Sequence, residues 1–251
     1  MTTSSTVPAQ CEPELLGQTV VVIGGSAGIG LATARRARAE GAGVILTGRD
    51  PERLEQAGGE LEAQRTAAFD ANDPAELKRF FDAVPKPIDH VLVTAGGPHY
   101  GRVLQMDFAE ARDAFSGHVM LALEVARNTV DKIRPGGALL LIGGTGGRKI
   151  GLGNGIASAV TAALPPLTAS LALEMAPVRV NLIAPGFVDT QLSASILGDD
   201  LEARRKELRA TLPIGRVVGP EDVAALAVHI MVNTALTGAT YDIDGGQQFV
   251  S

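Results

Sequence analysis

The chain has 251 residues, of which 45% are hydrophobic and 20% charged, with a formal net charge of −6. That balance fits a globular domain large enough to bury a full core. The acidic charge argues against nucleic acid or an anionic membrane as a partner, since both need a basic field. The single cysteine, Cys11, rules out an intrachain disulfide framework or a cysteine zinc cluster; no metal site is expected.

Residues 1–15 are rich in Thr, Ser, Pro, Gln and Glu, with neither an apolar core nor a basic start. They read as a disordered tail and not a secretory signal. The domain is expected over 16–251 in one unit, and a cytoplasmic location is expected. No run of 18 apolar residues is seen, so no membrane span is expected.

Short apolar runs at 19–23, 44–47, 66–69, 90–94, 138–142, 179–183 and 240–243 read as buried strands. Helical patterns separate them at 28–40, 51–63, 74–83, 107–133, 155–174 and 220–231. Continuous apolar strands alternating with helices predict an α/β fold: a Rossmann-type, doubly wound, parallel seven-stranded sheet with helices on both faces. A polar helical stretch at 191–210 lies between the sixth strand and the last helix, and 191–212 is a candidate substrate lid.

Val20–Gly30 reads VVVIGGSAGIG: a strand end, then Gly24, Gly28 and Gly30, then a helix start. Gly24 permits a sharp turn, Gly28 a close approach of the backbone to a pyrophosphate, and Gly30 tight packing of helix on strand. The helix N-terminus then offers free N–H groups and its positive dipole end to phosphates. At the end of the second strand, Gly48 stands where an NAD-binding chain needs a carboxylate, and Arg49 follows. A guanidinium suits a phosphate dianion, and Ser26 can add a hydroxyl donor, so NADP(H) is favoured over NAD(H).

The G-x-x-x-G-x-G spacing resembles the short-chain dehydrogenases/reductases. Asp70 after the third strand, Ala95-Gly96 after the fourth, Pro185-Gly186-Phe187-Val188-Asp189-Thr190 after the sixth, and Asp244-Gly245-Gly246 near the end extend the resemblance over most of the chain. Together with the glycine turn, the resemblance implies a nicotinamide dinucleotide on Gly24, Gly28, Ile29 and Gly30, with Ser26 and Arg49 at its 2′-phosphate as their chemistry suggests. It further implies adenine beside Asp70 and Ala71, ribose beside Ala95 and Gly96, and nicotinamide beside Pro185, Gly186, Val188 and Thr190. A homodimer or homotetramer is implied in the same way.

The family's proton-transfer positions are not filled. Aligning on Leu171–Asn181 places its tyrosine at Ala157, its lysine at Thr161, its serine at Gly144 and its helix asparagine at His118; Thr94 stands before Ala95-Gly96. The only tyrosines are Tyr100 and Tyr241, and neither has a lysine four residues later. Candidate substitutes are His118, which titrates near neutrality, Thr145 beside the serine position, and Tyr100 in the loop after the fourth strand. Ser158 is turned about 100° from the tyrosine position on a regular helix and reads as structural. His99 lies next to Tyr100, and Arg148 and Lys149 are candidates for an anionic substrate. Pro165 and Pro166 remove two helix donors, which predicts a kink or break near Leu164.

Three functions are compatible with this pattern. One is an NADP(H)-dependent oxidoreductase acting on a carbonyl or alcohol with a non-standard proton donor. Another is a cofactor-binding sensor or inactive partner subunit. The third is a non-redox lyase, isomerase or cyclase on the same scaffold.

Overall fold

The computed structural model describes residues 14–148 and 150–250. Cys11, Lys149 and most of the expected tail lie outside them. Seven strands, β1 (Thr19–Ile23), β2 (Gly43–Gly48), β3 (Arg65–Ala68), β4 (Ile88–Val93), β5 (Ile133–Ile142), β6 (Arg179–Pro185) and β7 (Thr240–Ile243), form one sheet. Their order is β3-β2-β1-β4-β5-β6-β7, and every pairing is parallel.

The helices alternate with the strands: α1 (Gly28–Ala39), α2 (Pro51–Glu60), α3 (Pro74–Ala83), α4 (Phe108–Phe115), α5 (Leu121–Thr129), α6 (Gly155–Glu174), α7 (Gln191–Leu197), α8 (Leu201–Thr211) and α9 (Pro220–Val232). Side chains of a strand alternate between faces, so β1 feeds two cores. Val21 and Ile23 join Leu77, Phe80 and Phe81 of α3, Val125 of α5 and Leu164 of α6 on one face. Val20 and Val22 join Ala34 and Ala37 of α1, Leu54 of α2 and Val223 and Ala227 of α9 on the other.

Several expectations need correction. Leu15, read as tail, is fully buried, and its amide donates to Glu40 O of the α1 cap at 3.0 Å. The helix expected over 107–133 ends at Thr129 and is interrupted by a π-helical turn, Ser116–Met120. The chain beyond it enters β5 at Ile133, five residues before the apolar run that marked the strand. Arg134, Pro135 and Gly136 hid that start, because the sheet there is held by a register shift at Ile88/His90. The polar helix expected over 191–210 is two helices, α7 and α8, divided at Gly198, whose φ of +51° ends α7.

The break near Leu164 does not occur: α6 runs from Gly155 to Glu174 through both prolines. Only two donors are lost, while Leu164 and Leu171 stay buried in the core and Thr168 Oγ1 donates to Leu164 O at 2.8 Å. The same helix, with Glu174 as its one charged residue, reaches a mean hydropathy of 1.6 over its most apolar stretch and is long and apolar enough by composition to cross a membrane; Ser, Thr and Pro interrupt it, so no unbroken apolar run marks it. Here it lies along β6, with buried Ser158, Thr168 and Leu171 on one side.

Candidate functional site

The strand order reverses between β1 and β4, so a crevice opens beyond their C-terminal ends, the usual ligand position in such sheets. Its floor is the turn from Gly24 to Gly30. A Cβ on Gly24 would lie 2.7 Å from Thr94 Oγ1, and one on Gly30 would lie 2.6 Å from the same atom and closer still to Gly24 O. These two positions therefore admit only glycine, and the tight turn is enforced by packing. Thr94 braces it further: its hydroxyl lies 2.9 Å from Gly24 O and 3.1 Å from Ile23 O. Gly24 N donates to Thr47 Oγ1 at 3.3 Å. Gly28 differs, since a Cβ there would meet nothing nearer than Thr190 at 3.6 Å. The start of α1 thus stays open above Gly28 and Ile29, as a cradle for phosphate requires.

At the end of β2, the Ser26 side chain packs over Gly48. Arg49 beside it is exposed and has no ion pair among the described residues. Asp70 is exposed, with Oδ1 accepting from Asn72 N at 3.0 Å, and Ala71 is buried. A cleft of about 570 Å³ behind the loop is lined by Ser26, Gly28, Arg53, Thr190 and Arg205, among others.

The loop after β6 is fixed from two sides. Phe187 N donates to Gln247 Oε1 at 2.7 Å, and Gly186 N to Ile243 O at 3.3 Å. A Cβ at Gly186 would lie 2.7 Å from Asp244 Cβ, so Pro185-Gly186 and the C-terminal Asp244 turn fit one another. Val188 bridges to Val218. Thr190 caps α7, its Oγ1 accepting from Ser193 N at 3.3 Å. Asp189 Oδ1 accepts from Arg205 Nη2 of α8 at 2.6 Å, tying the candidate lid to this loop.

His118 lies in the π-helical turn and comes against the end of β4. A Cβ on Gly96 would sit 3.1 Å from His118 Cε1 and 3.3 Å from Nε2. Such turns cluster at functional sites because they displace one side chain from the regular helical track. The ring makes no hydrogen bond among the described residues, and burial holds its pKa below the usual histidine value. It is therefore neutral at pH 7. Thr145, buried in the turn after β5, likewise has no side-chain partner among the described residues. Tyr100 is 56% exposed. Desolvation raises its pKa, opposed by the Arg204 guanidinium, so it remains a protonated phenol near neutrality.

The positions aligned with the family's pair are chemically silent. A Cβ at Gly144 would lie 3.4 Å from Thr161 Cγ2, so the serine and lysine positions do face each other. Thr161 Oγ1, however, donates within its own helix, to Ala157 O at 2.8 Å. Ser158 Oγ donates to Gly146 O at 2.8 Å. Arg148 pairs with Asp242 of β7. His99 Nε2 lies 3.9 Å from Glu110 Oε2. Sequence reasoning missed Thr47, Ser193, Gln247 and Arg205, because each acts on a partner that no local motif marks.

The family profile described as enoyl-(acyl carrier protein) reductase matches residues 24–248. A short-chain dehydrogenase/reductase from Stachybotrys chlorohalonatus is 30% identical, over 93% of this chain and 98% of its own. Carbonyl reductase family member 4 from Danio rerio is 29% identical, over 94% and 100%. Among solved structures, a small-chain dehydrogenase in complex with NADPH superposes with a TM-score of 0.81 at 28% identity, over 93% of this chain and 99% of its own. The chain belongs to the short-chain dehydrogenase/reductase family, a class of Rossmann-fold oxidoreductases.

Proposed function

We propose that this chain is an NADP(H)-dependent oxidoreductase acting on a carbonyl or alcohol substrate, with His118 handling the proton. The observation that carries the proposal is the unbonded imidazole of His118 against Gly96, at the mouth of a glycine cradle that admits no side chain at Gly24 or Gly30. Gly24, Gly28, Ile29 and Gly30 would hold the pyrophosphate with main-chain N–H groups. Ser26 and Arg49 would take the 2′-phosphate, Asp70 and Ala71 the adenine, and Ala95 and Gly96 the ribose. Pro185, Gly186, Val188 and Thr190 would border the nicotinamide. The bound cofactor supplies the hydride chemistry.

The chain's own contribution is positional and acid–base. Neutral His118 can accept the hydroxyl proton of an alcohol, and its protonated form can give a proton to a carbonyl oxygen. The Thr145 hydroxyl can donate to that oxygen. Tyr100, protonated at neutral pH, borders the entrance. We further place the protein in the cytoplasm as a homodimer or homotetramer.

A second reading, cofactor binding without redox turnover, is favoured by one observation: Ala157 and Thr161 offer no acid at the family's position. Steady-state assay of a carbonyl and alcohol panel with His118→Ala separates the two. The first reading expects turnover by the wild type, its loss in the variant, and unchanged NADPH affinity by calorimetry. Wild-type binding without turnover across the panel leaves the second.

A further inference from the structure

Three segments meet around the mouth of the site. Gly101 N in the loop after β4 donates to Gly153 O before α6 at 2.7 Å. Val103 packs on Gly155, and a Cβ on Gly97 would lie 3.6 Å from Leu192 Cδ2 of α7. Each segment turns large apolar side chains outward: Tyr100 and Val103, Ile150 and Leu152, Leu192 and Ile196 are between 44% and 84% exposed. Scattered exposed apolar residues are ordinary, but a contiguous group rimming a site marks a surface that something covers. Among the described residues, charge does not offer an alternative hold on the same scale. Arg148 is paired with Asp242, Arg204 with Glu207 at 2.8 Å, and Arg205 with Asp189; Arg102 makes no ion pair among the described residues.

We infer that this rim receives the substrate itself, and that the substrate is an uncharged carbonyl or alcohol compound with an extended apolar portion. The inference rests on the oxidoreductase reading of the site. The occupant is the substrate because the rim is continuous with the reaction crevice: Gly97 follows Gly96, Leu192 lies two residues beyond Thr190, and a Cβ on Gly97 would be in van der Waals contact with Leu192. With Gly144, Gly146 and Ala157 below, the crevice presents no bulky side chain at those positions to stop an apolar skeleton from reaching His118.

The test is binding of hexan-2-one, octan-2-one and decan-2-one, measured by calorimetry with NADP⁺ present so that no turnover occurs. Affinity should tighten by about three- to fourfold per added CH₂. In the double variant Ile150→Asp/Leu152→Asp the chain-length dependence should collapse, with NADPH affinity retained. Leu173→Asp, at the far end of α6, should leave it intact. Affinity independent of chain length would overturn the inference, and so would tighter binding of 4-oxopentanoate than of decan-2-one, which would assign recognition to Arg102. Light scattering on the same samples tests a third outcome. If the double variant dissociates an oligomer while the chain-length dependence persists, the rim is a subunit contact and the inference falls. Loss of NADPH binding by the wild type would instead defeat the oxidoreductase reading on which this rests.

Discussion

Ser26 Oγ occupies the space that a side chain at Gly48 would need: a Cβ there would lie 2.8 Å from Ser26 Oγ and 3.1 Å from Ser26 Cβ. The carboxylate that recognises an unphosphorylated ribose therefore cannot be added at Gly48 without moving Ser26. Gly48→Asp alone should weaken NADPH binding by about tenfold or more, through repulsion of the 2′-phosphate, and gain nothing for NADH. Gly48→Asp/Ser26→Gly should gain NADH affinity. Calorimetric titration of both variants with both dinucleotides checks this.

Gly30→Ala places a methyl group against Gly24 O and Thr94 Oγ1. Overpacking of this kind costs about 1–3 kcal/mol. Because Gly24 would be displaced, dinucleotide affinity should fall as well. Urea denaturation and calorimetry on one preparation read both effects.

His90 is buried on β4, with Nε2 2.8 Å from Gln18 Oε1 and Nδ1 unpartnered, and burial pushes its pKa down to about 3. The fold thus holds His90 neutral, while the unfolded chain takes up a proton below about pH 6.5. Stability is complete above that value and is lost progressively as pH falls from about 6.5 towards 3. Between pH 7.5 and 5 the loss should be about 2 kcal/mol. Denaturant midpoints at the two pH values measure it, and His90→Leu should remove most of the difference.

The pH profile of turnover carries the sign of His118. Its pKa lies below the ordinary histidine value because the ring is desolvated. Alcohol oxidation, which needs the neutral base, should be flat through neutrality and fall only under acid conditions below pH 6.5. Carbonyl reduction, which needs the imidazolium, should rise as the pH is lowered towards the same region. Any residual turnover in His118→Ala should show neither dependence.

Arg205 joins Asp189 and Glu202, both within hydrogen-bonding reach, so the α7–α8 segment is strapped to the loop after β6. With both partners about 30% exposed and screened by solvent, Arg205→Ala should change global stability little. Its larger effect should be faster proteolytic cleavage within 191–212, read by timed digestion.

The sheet and its glycine turn were legible because both are written locally. Runs of Val, Ile and Leu mark buried parallel strands, and Gly24, Gly28 and Gly30 mark the turn. What escaped was set by distant partners. The start of β5 at Ile133 depends on pairing with Ile88, not on its own Arg-Pro-Gly-Gly sequence. The prolines of α6 are tolerated because Leu164 and Leu171 are buried in the core. Arg148 looked free until the fold brought Asp242 to it, and the π-helical turn that aims His118 at Gly96 has no sequence signature.

The most direct test is titration of the purified chain with NADPH and NADH by calorimetry. The glycine cradle, Ser26 and Arg49 together predict saturable binding, tighter for NADPH by about tenfold or more. No heat of binding from either dinucleotide up to about 1 mM would contradict the account.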